Sequence, residues 1–214
     1  MSPEAIQLLR YFLGALLLVE LGARVRHFRR RNKARSGCFA NDRPTFADYL
    51  WVVAGGGAHY TLLAVFVAYP GWVGFAQLPF VPALAIIGCV LALGGLLLIL
   101  WSHHVLGLAF CISAAPTPDQ SLVTSGPYAR VRHPIYLALV LKAVGVALAT
   151  CNLLVIATSV AMLAGIAIRI PGEERRLHRC YGAVWDDYAA RTPALFPMKC
   201  SGNPSCPFRT FRPR

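Results

Sequence analysis

The chain has 214 residues, 57% of them apolar and only 14% charged. A soluble domain carries about 25% charged residues, so the composition excludes an ordinary soluble enzyme and indicates an integral membrane protein. Lys and Arg number 21 against 9 acidic residues. That excess borders apolar spans, which points to positive-inside topology and away from nucleic acid.

Seven cysteines show no Cys-x-x-Cys spacing, so neither a disulfide framework nor a metal site is expected. Cys200 and Cys206, in the proline-rich tail, read as two free thiols, with a labile pair as the alternative. No cleavable signal peptide is expected, because the first apolar run lacks a basic lead and is followed by its positive charges.

Residues 5–23 read as a first transmembrane helix, with Arg10 and Glu20 near its ends, where long side chains snorkel. The basic block Arg24 to Arg35 then holds its loop in the cytoplasm, against anionic lipid head groups. Ala47–Tyr69 is a second span. Its Gly55-Gly56-Gly57 suggests close helix packing, and His59 faces either a cavity or a neighbouring helix. Pro70–Pro79 has no charge and makes a short outer loop. Phe80–Trp101, 22 residues without a charge, crosses about 30 Å of hydrocarbon at 1.5 Å per residue.

Ser102–Arg132 reads as polar and irregular, with His103 and His104 interfacial, since no acidic or cysteine partner stands at ligand spacing. Pro134–Thr150 and Cys151–Ile168 are two apolar runs joined at Asn152, which implies a tight helical hairpin. Lys142 lies within the first arm, as a functional intramembrane cation or as a snorkelling one.

Two motifs flank that hairpin. The first is Gly126-Pro127-Tyr128-Ala129-Arg130-Val131-Arg132-His133-Pro134-Ile135-Tyr136. Pro134 suits the first turn of a helix, and His133 before it is pushed towards an extended conformation. This reading leaves backbone groups and the imidazole free to meet a ligand. The second motif runs Arg169-Ile170-Pro171-Gly172-Glu173-Glu174-Arg175-Arg176-Leu177, then Tyr181-Gly182, Trp185, Tyr188, Arg191 and Pro193. Alone, Glu173 to Tyr188 reads as an amphipathic interfacial helix.

Together the motifs resemble the isoprenylcysteine carboxyl methyltransferase family, with its phospholipid methyltransferase relatives. The carriers are Leu122-Val123, Gly126, Tyr128, Arg132-His133-Pro134, Tyr136, Arg169, Glu173-Glu174, Leu177, Tyr181-Gly182, Trp185, Tyr188, Arg191 and Pro193. The match covers roughly residues 120–197 and is specific as a set. Two positions depart from the family pattern: Ala138 stands where a glycine is common, and Gln120 replaces a histidine.

The resemblance implies an all-α integral membrane protein of about five transmembrane helices, with a C-terminal helical hairpin and cytoplasmic cofactor-binding segments. Residues 1–101 would form a three-helix transmembrane region and residues 102–214 the methyltransferase core. With the basic loop inside, the amino terminus and residues 70–79 fall outside, and residues 102–133 and 169–214 fall in the cytoplasm. The cofactor implied is S-adenosyl-L-methionine, lined by Gln120, Ser121, Leu122, Val123, Tyr128, His133, Pro134, Ile135, Tyr136 and Glu173. Arg169 would be the catalytic and substrate-binding residue, holding the acceptor carboxylate. The partners implied are membrane lipids and a lipophilic substrate, prenylcysteine-like or phospholipid.

Methyl transfer from a sulfonium to a carboxylate needs placement and exclusion of water, not a general base, because the carboxylate is already ionised. An amine acceptor would need a base, with Glu174 or His133 as candidates. A phospholipid amine or small thiol is therefore the alternative acceptor. A different class, an NADPH-dependent sterol reductase, shares a similar Arg-His-Pro-x-Tyr and Tyr-Gly-x-x-Trp ending. Its usual greater length and the Glu173-Glu174 pair weigh against it. A scaffold without activity leaves both motifs unexplained.

Overall fold

The structure, a computed structural model, describes residues 3–34, 56–107 and 122–196. The first helix, α1, runs Pro3–Ala34. The expected span lies within it, and the helix continues through the basic block, because no glycine or proline interrupts residues 23–34. Helix α2 covers Ala58–Ala68; the earlier part of the expected second span lies outside the described residues, apart from Gly56 and Gly57. Helix α3, Pro82–Leu106, opens on a proline in its first turn and stops at Gly107, whose φ is 53°. His103 and His104 therefore form its last turn, not an irregular segment: the first backbone breaker is Gly107, five residues beyond Ser102.

Helices α4 (Pro134–Thr150) and α5 (Leu153–Tyr181) form the expected hairpin. Cys151 turns the chain in a left-handed conformation, and Asn152 Oδ1 accepts the N–H groups of Leu154 (3.1 Å) and Val155 (3.4 Å). Helix α5 does not end near residue 168. It passes through Pro171 on an exposed face and stops only at Gly182, φ 53°. The stretch expected as one interfacial helix is thus the end of α5, a glycine corner, and α6, Ala183–Arg191.

The regular elements among the described residues are helices, and α1 (over Glu4–Arg26), α3 and α5 are long and apolar enough to cross a membrane. Helices α2 and α4 are apolar but shorter. The chain is a multi-pass helical membrane protein.

Helices α3 and α4 make the closest approach. A Cβ on Gly145 would stand 2.5 Å from the Ala92 nitrogen, and one on Gly95 would stand 2.6 Å from the Ala138 carbonyl oxygen. Small residues let two backbones touch where lipid offers no hydrophobic drive. The seam at Gly88, Ala92, Gly95, Ala138, Gly145 and Ala149 does this work. Ala138, the departure from the family glycine, is fully buried within it. On either side lie two apolar clusters, one around Leu13, Phe66 and Val155, the other around Ile99, Leu139, Met162 and Ile166. Tyr136 belongs to the second and leads to the site.

Polar groups expected to snorkel turn inward instead. Arg10 donates from Nε (2.9 Å) and Nη2 (2.6 Å) to the Val67 carbonyl at the end of α2. Glu20 is 1% exposed; it accepts from Tyr60 Oη (2.6 Å) and Arg24 Nη2 (2.7 Å) and forms an ion pair with Lys142. Lys142 therefore does not snorkel. A carboxylate on the facing helix offers its charge a nearer partner than the interface. His59 faces a neighbouring helix, with Nδ1 3.4 Å from Thr158 Oγ1 and 3.5 Å from Ser159 Oγ.

The Pro70–Pro79 connection docks on the hairpin turn. Gln77 Nε2 donates to the carbonyls of Thr150 (2.8 Å) and Cys151 (3.1 Å), and Asn152 Nδ2 donates to that of Val73 (2.9 Å). Trp72 and Phe75 stay exposed beside it, as aromatic side chains at a membrane interface do.

Candidate active site

The first motif enters as a 3-10 turn, Gly126–Ala129. Gly126 has φ 60°, a left-handed conformation that glycine adopts without strain. The turn buries Tyr128, whose carbonyl accepts a 2.6 Å hydrogen bond from Tyr188 Oη. Burial raises the Tyr128 phenol well above its ordinary value, with the nearby Glu173 charge adding to the shift. Burial also pushes Tyr188 up to about 12, against the lowering effect of Arg132. Both phenols stay protonated near neutral pH.

Arg132 then locks the two motifs together. Its Nε (3.0 Å) and Nη2 (2.7 Å) donate to Glu174 Oε1, while Nη1 donates to the carbonyls of Ala189 (2.9 Å) and Thr192. The guanidinium lies over the Trp185 ring, 5.9 Å from its centroid. The backbone N–H groups of Arg132 and His133 donate to the carbonyls of Pro193 (2.8 Å) and Ala194 (3.0 Å). His133 Nε2 lies 3.2 Å from Glu174 Oε1, and the imidazole is 5% exposed. The reading that this segment leaves its backbone and imidazole open to a ligand is corrected: the chain after α6 folds back and takes both N–H groups.

A second arrangement sits one side chain away. Tyr136, in the first turn of α4, donates from Oη to Glu173 Oε2 (2.5 Å) and accepts from Arg169 Nε (2.8 Å). Arg169 and Glu173 lie one turn apart on α5 and so share a face. Arg169 is 7% exposed and Glu173 half-buried. The adjacent glutamates diverge, Glu173 towards Tyr136 and Glu174 towards Arg132 and His133.

An open groove of about 670 Å³ adjoins this region, lined by Leu122, Thr124, Ala129, Tyr181, Tyr188 and Arg191 among others. Its size falls in the range of ligand pockets, about 300–1,000 Å³. Of the residues singled out from sequence, Leu122 lines the groove, while Tyr136, Arg169 and Glu173 form a hydrogen-bonded cluster of their own. Val123 is half-buried on the same segment, and Pro134 is buried as the first residue of α4. Ile135 packs towards the Ile99 core. Gln120 and Ser121 lie outside the described residues.

Sequence reasoning gave no role to Arg132, Trp185 or Thr192, which hold the arrangement together. The available signal was a cation in one motif and an acid in the other, Arg132 and Glu174, which pair across 42 positions.

The site belongs to a multi-pass helical membrane protein with an Arg–Tyr–Glu cluster and an open groove. The phospholipid methyltransferase family model matches residues 84–184. Protein-S-isoprenylcysteine O-methyltransferase B of Arabidopsis thaliana is 38% identical over 78 residues, 36% of this chain and 40% of that protein. The cobalt-zinc-cadmium resistance protein CzcN of Cupriavidus metallidurans is 39% identical over 82 residues, 37% of each chain. The nickel-cobalt-cadmium resistance protein NccN of Alcaligenes xylosoxydans is 38% identical over 79 residues, 36% of each chain. The solved structure of the eukaryotic intramembrane Ras methyltransferase ICMT is similar with a TM-score of 0.49 at 24% identity, over 73% of this chain and 53% of that one. The chain spans less than half the length of the curated relatives it matches. The matches to the family model and to the Arabidopsis enzyme bear out the resemblance to the isoprenylcysteine carboxyl methyltransferase family and its phospholipid methyltransferase relatives.

Proposed function

We propose that this protein is a membrane methyltransferase that uses S-adenosyl-L-methionine to methylate the carboxylate of a lipophilic acceptor, an isoprenylated cysteine. The observation that carries the reading is the juxtaposition of Arg169, Tyr136 and Glu173, from the two motifs that carry the family resemblance.

The residues present fit such a cofactor. Glu173 offers a half-buried carboxylate to a cationic group, Tyr128 offers a ring, and the groove at Leu122 and Tyr188 offers volume. When bound, S-adenosylmethionine supplies an electrophilic methyl group on a sulfonium. Arg169 orients the acceptor carboxylate through its fork of donors. Tyr136 holds Arg169 by Nε, which restricts how that fork can turn. The apolar walls of α3 to α5 keep water from the acceptor, which strengthens every charge interaction inside. No residue needs to remove a proton from an ionised carboxylate, and Glu174 and His133, the base candidates for an amine, are committed to Arg132 and to each other.

On this reading the amino terminus and the Pro70–Pro79 connection face outward and the segment after α5 faces the cytoplasm, by the basic stretch that ends α1. Cysteine labelling that found residue 75 on the cytoplasmic side would contradict it. The function itself is tested by calorimetry on the detergent-purified protein: S-adenosylmethionine should bind and NADPH should not. Binding of NADPH alone would favour a reductase.

A further inference from the structure

Resting on that reading, we infer that Tyr136 is a positioning residue whose hydroxyl couples the donor-binding carboxylate Glu173 to the acceptor-binding Arg169, so that filling one site changes affinity at the other. A phenol has one proton and remaining lone pairs. Here the proton goes to Glu173 Oε2 at 2.5 Å, and a lone pair receives Arg169 Nε–H at 2.8 Å. The three groups form a chain of charge-assisted hydrogen bonds, in which each bond polarises the next.

The geometry is held from outside the chain. The Tyr136 ring is 9% exposed and stacks on the His133 ring at 5.5 Å between centroids. His133 is itself fixed by Glu174 and by the backbone of Ala194. Arg169 and Glu173 ride on one rigid face of α5, while Tyr136 comes from α4. The hydroxyl is therefore a crossing point between two helices. The α-ammonium group of the methyl donor, which S-adenosylhomocysteine shares, draws charge from the carboxylate when brought to Glu173 and weakens its hold on the phenol proton. The hydroxyl oxygen then becomes a poorer acceptor for Arg169, whose guanidinium turns more fully to a bound carboxylate. Such linkage is reciprocal in binding, and couplings between sites commonly amount to about 5- to 150-fold.

The test measures the affinity of S-adenosylhomocysteine for the full chain in detergent, alone and with saturating N-acetyl-S-farnesylcysteine, and then the converse. In the wild-type protein each ligand should tighten the other by the same factor, about fivefold or more. Tyr136→Phe keeps the ring and its stacking but removes the hydroxyl. The factor should fall to about one, while S-adenosylhomocysteine alone binds within about threefold of wild type. Unchanged coupling in Tyr136→Phe would overturn the inference, as would a wild-type factor of one. Loss of most S-adenosylhomocysteine binding would also overturn it, by making Tyr136 a direct cofactor contact. If Tyr136→Phe does not fold, Arg169→Lys removes the same Nε bond and should abolish the coupling read from the S-adenosylhomocysteine side; retained coupling there overturns the inference. A wild-type protein that binds neither ligand would reject both this inference and the proposed function.

Discussion

Lys142 of α4 and Glu20 of α1 form an ion pair inside the helical bundle, 3% and 1% exposed, with Tyr60 of α2 hydrogen-bonded to both. Three helices therefore meet on one buried carboxylate, which also accepts from Arg24. Removing one partner of such a pair strands a charge in low dielectric, at a cost of about 3–5 kcal/mol. Removing both does not.

Glu20→Gln and Lys142→Met should each lower the melting temperature in detergent, and the double variant should lose clearly less than their sum. Strictly additive losses would show that the two side chains do not act as a pair.

The two adjacent glutamates should separate by experiment. Glu174→Gln weakens the charge-assisted bonds from Arg132, each worth about 1.5–3 kcal/mol, and should loosen α6 and residues 192–194, seen as faster proteolysis there. Glu173→Gln should leave that resistance intact while weakening S-adenosylmethionine binding. Equal effects of both variants on binding would contradict the assignment.

Arg169 decides between acceptors. Arg169→Lys keeps the charge but loses the fork, which should cost on the order of 1.5–3 kcal/mol, about one to two decades in rate. Cofactor affinity should be largely spared. Arg169→Gln should be at least as slow on a prenylcysteine; full activity there would indicate an amine or thiol acceptor.

The rate should also be nearly flat between about pH 6 and 9. The acceptor carboxylate is ionised throughout, and burial keeps Tyr128 and Tyr188 protonated across that window. A rate that climbs with pH across the window would mean that a proton must leave the acceptor first, as for an amine.

Much of this was legible in the chain itself. Apolar run length located α1, α3 and the hairpin, and Asn152 marked its turn, because those signals are local. Helix ends were less legible. The run to Leu106 and the passage of α5 through Pro171 depend on the first true breaker, Gly107 or Gly182, and not on where polarity begins. Inward-facing charges were not legible at all. Arg10 and Glu20 look like snorkelling residues, and Lys142 reads as a snorkelling or a functional cation, until α2 and α4 bring their partners, up to 122 positions away in sequence. Within the site, the family resemblance singled out Tyr136, Arg169 and Glu173, which the fold brings into one hydrogen-bonded cluster. The backbone pairing of Arg132 and His133 with Pro193 and Ala194 carries no side-chain signature, so His133 looked open when it is enclosed.

Methyl transfer to a carboxylate forms an ester, a bond that separates this acceptor from an amine or a thiol. Purified protein in detergent or nanodiscs would be incubated with S-adenosylmethionine carrying a labelled methyl group and with N-acetyl-S-farnesylcysteine. The lipid product would then be treated with mild base. Label should enter the lipid in a form that base releases as methanol, the behaviour of a methyl ester, and Arg169→Gln should give little label. Label that stays on the lipid through base, or transfer only to a phospholipid amine or a thiol, would contradict a carboxylate acceptor.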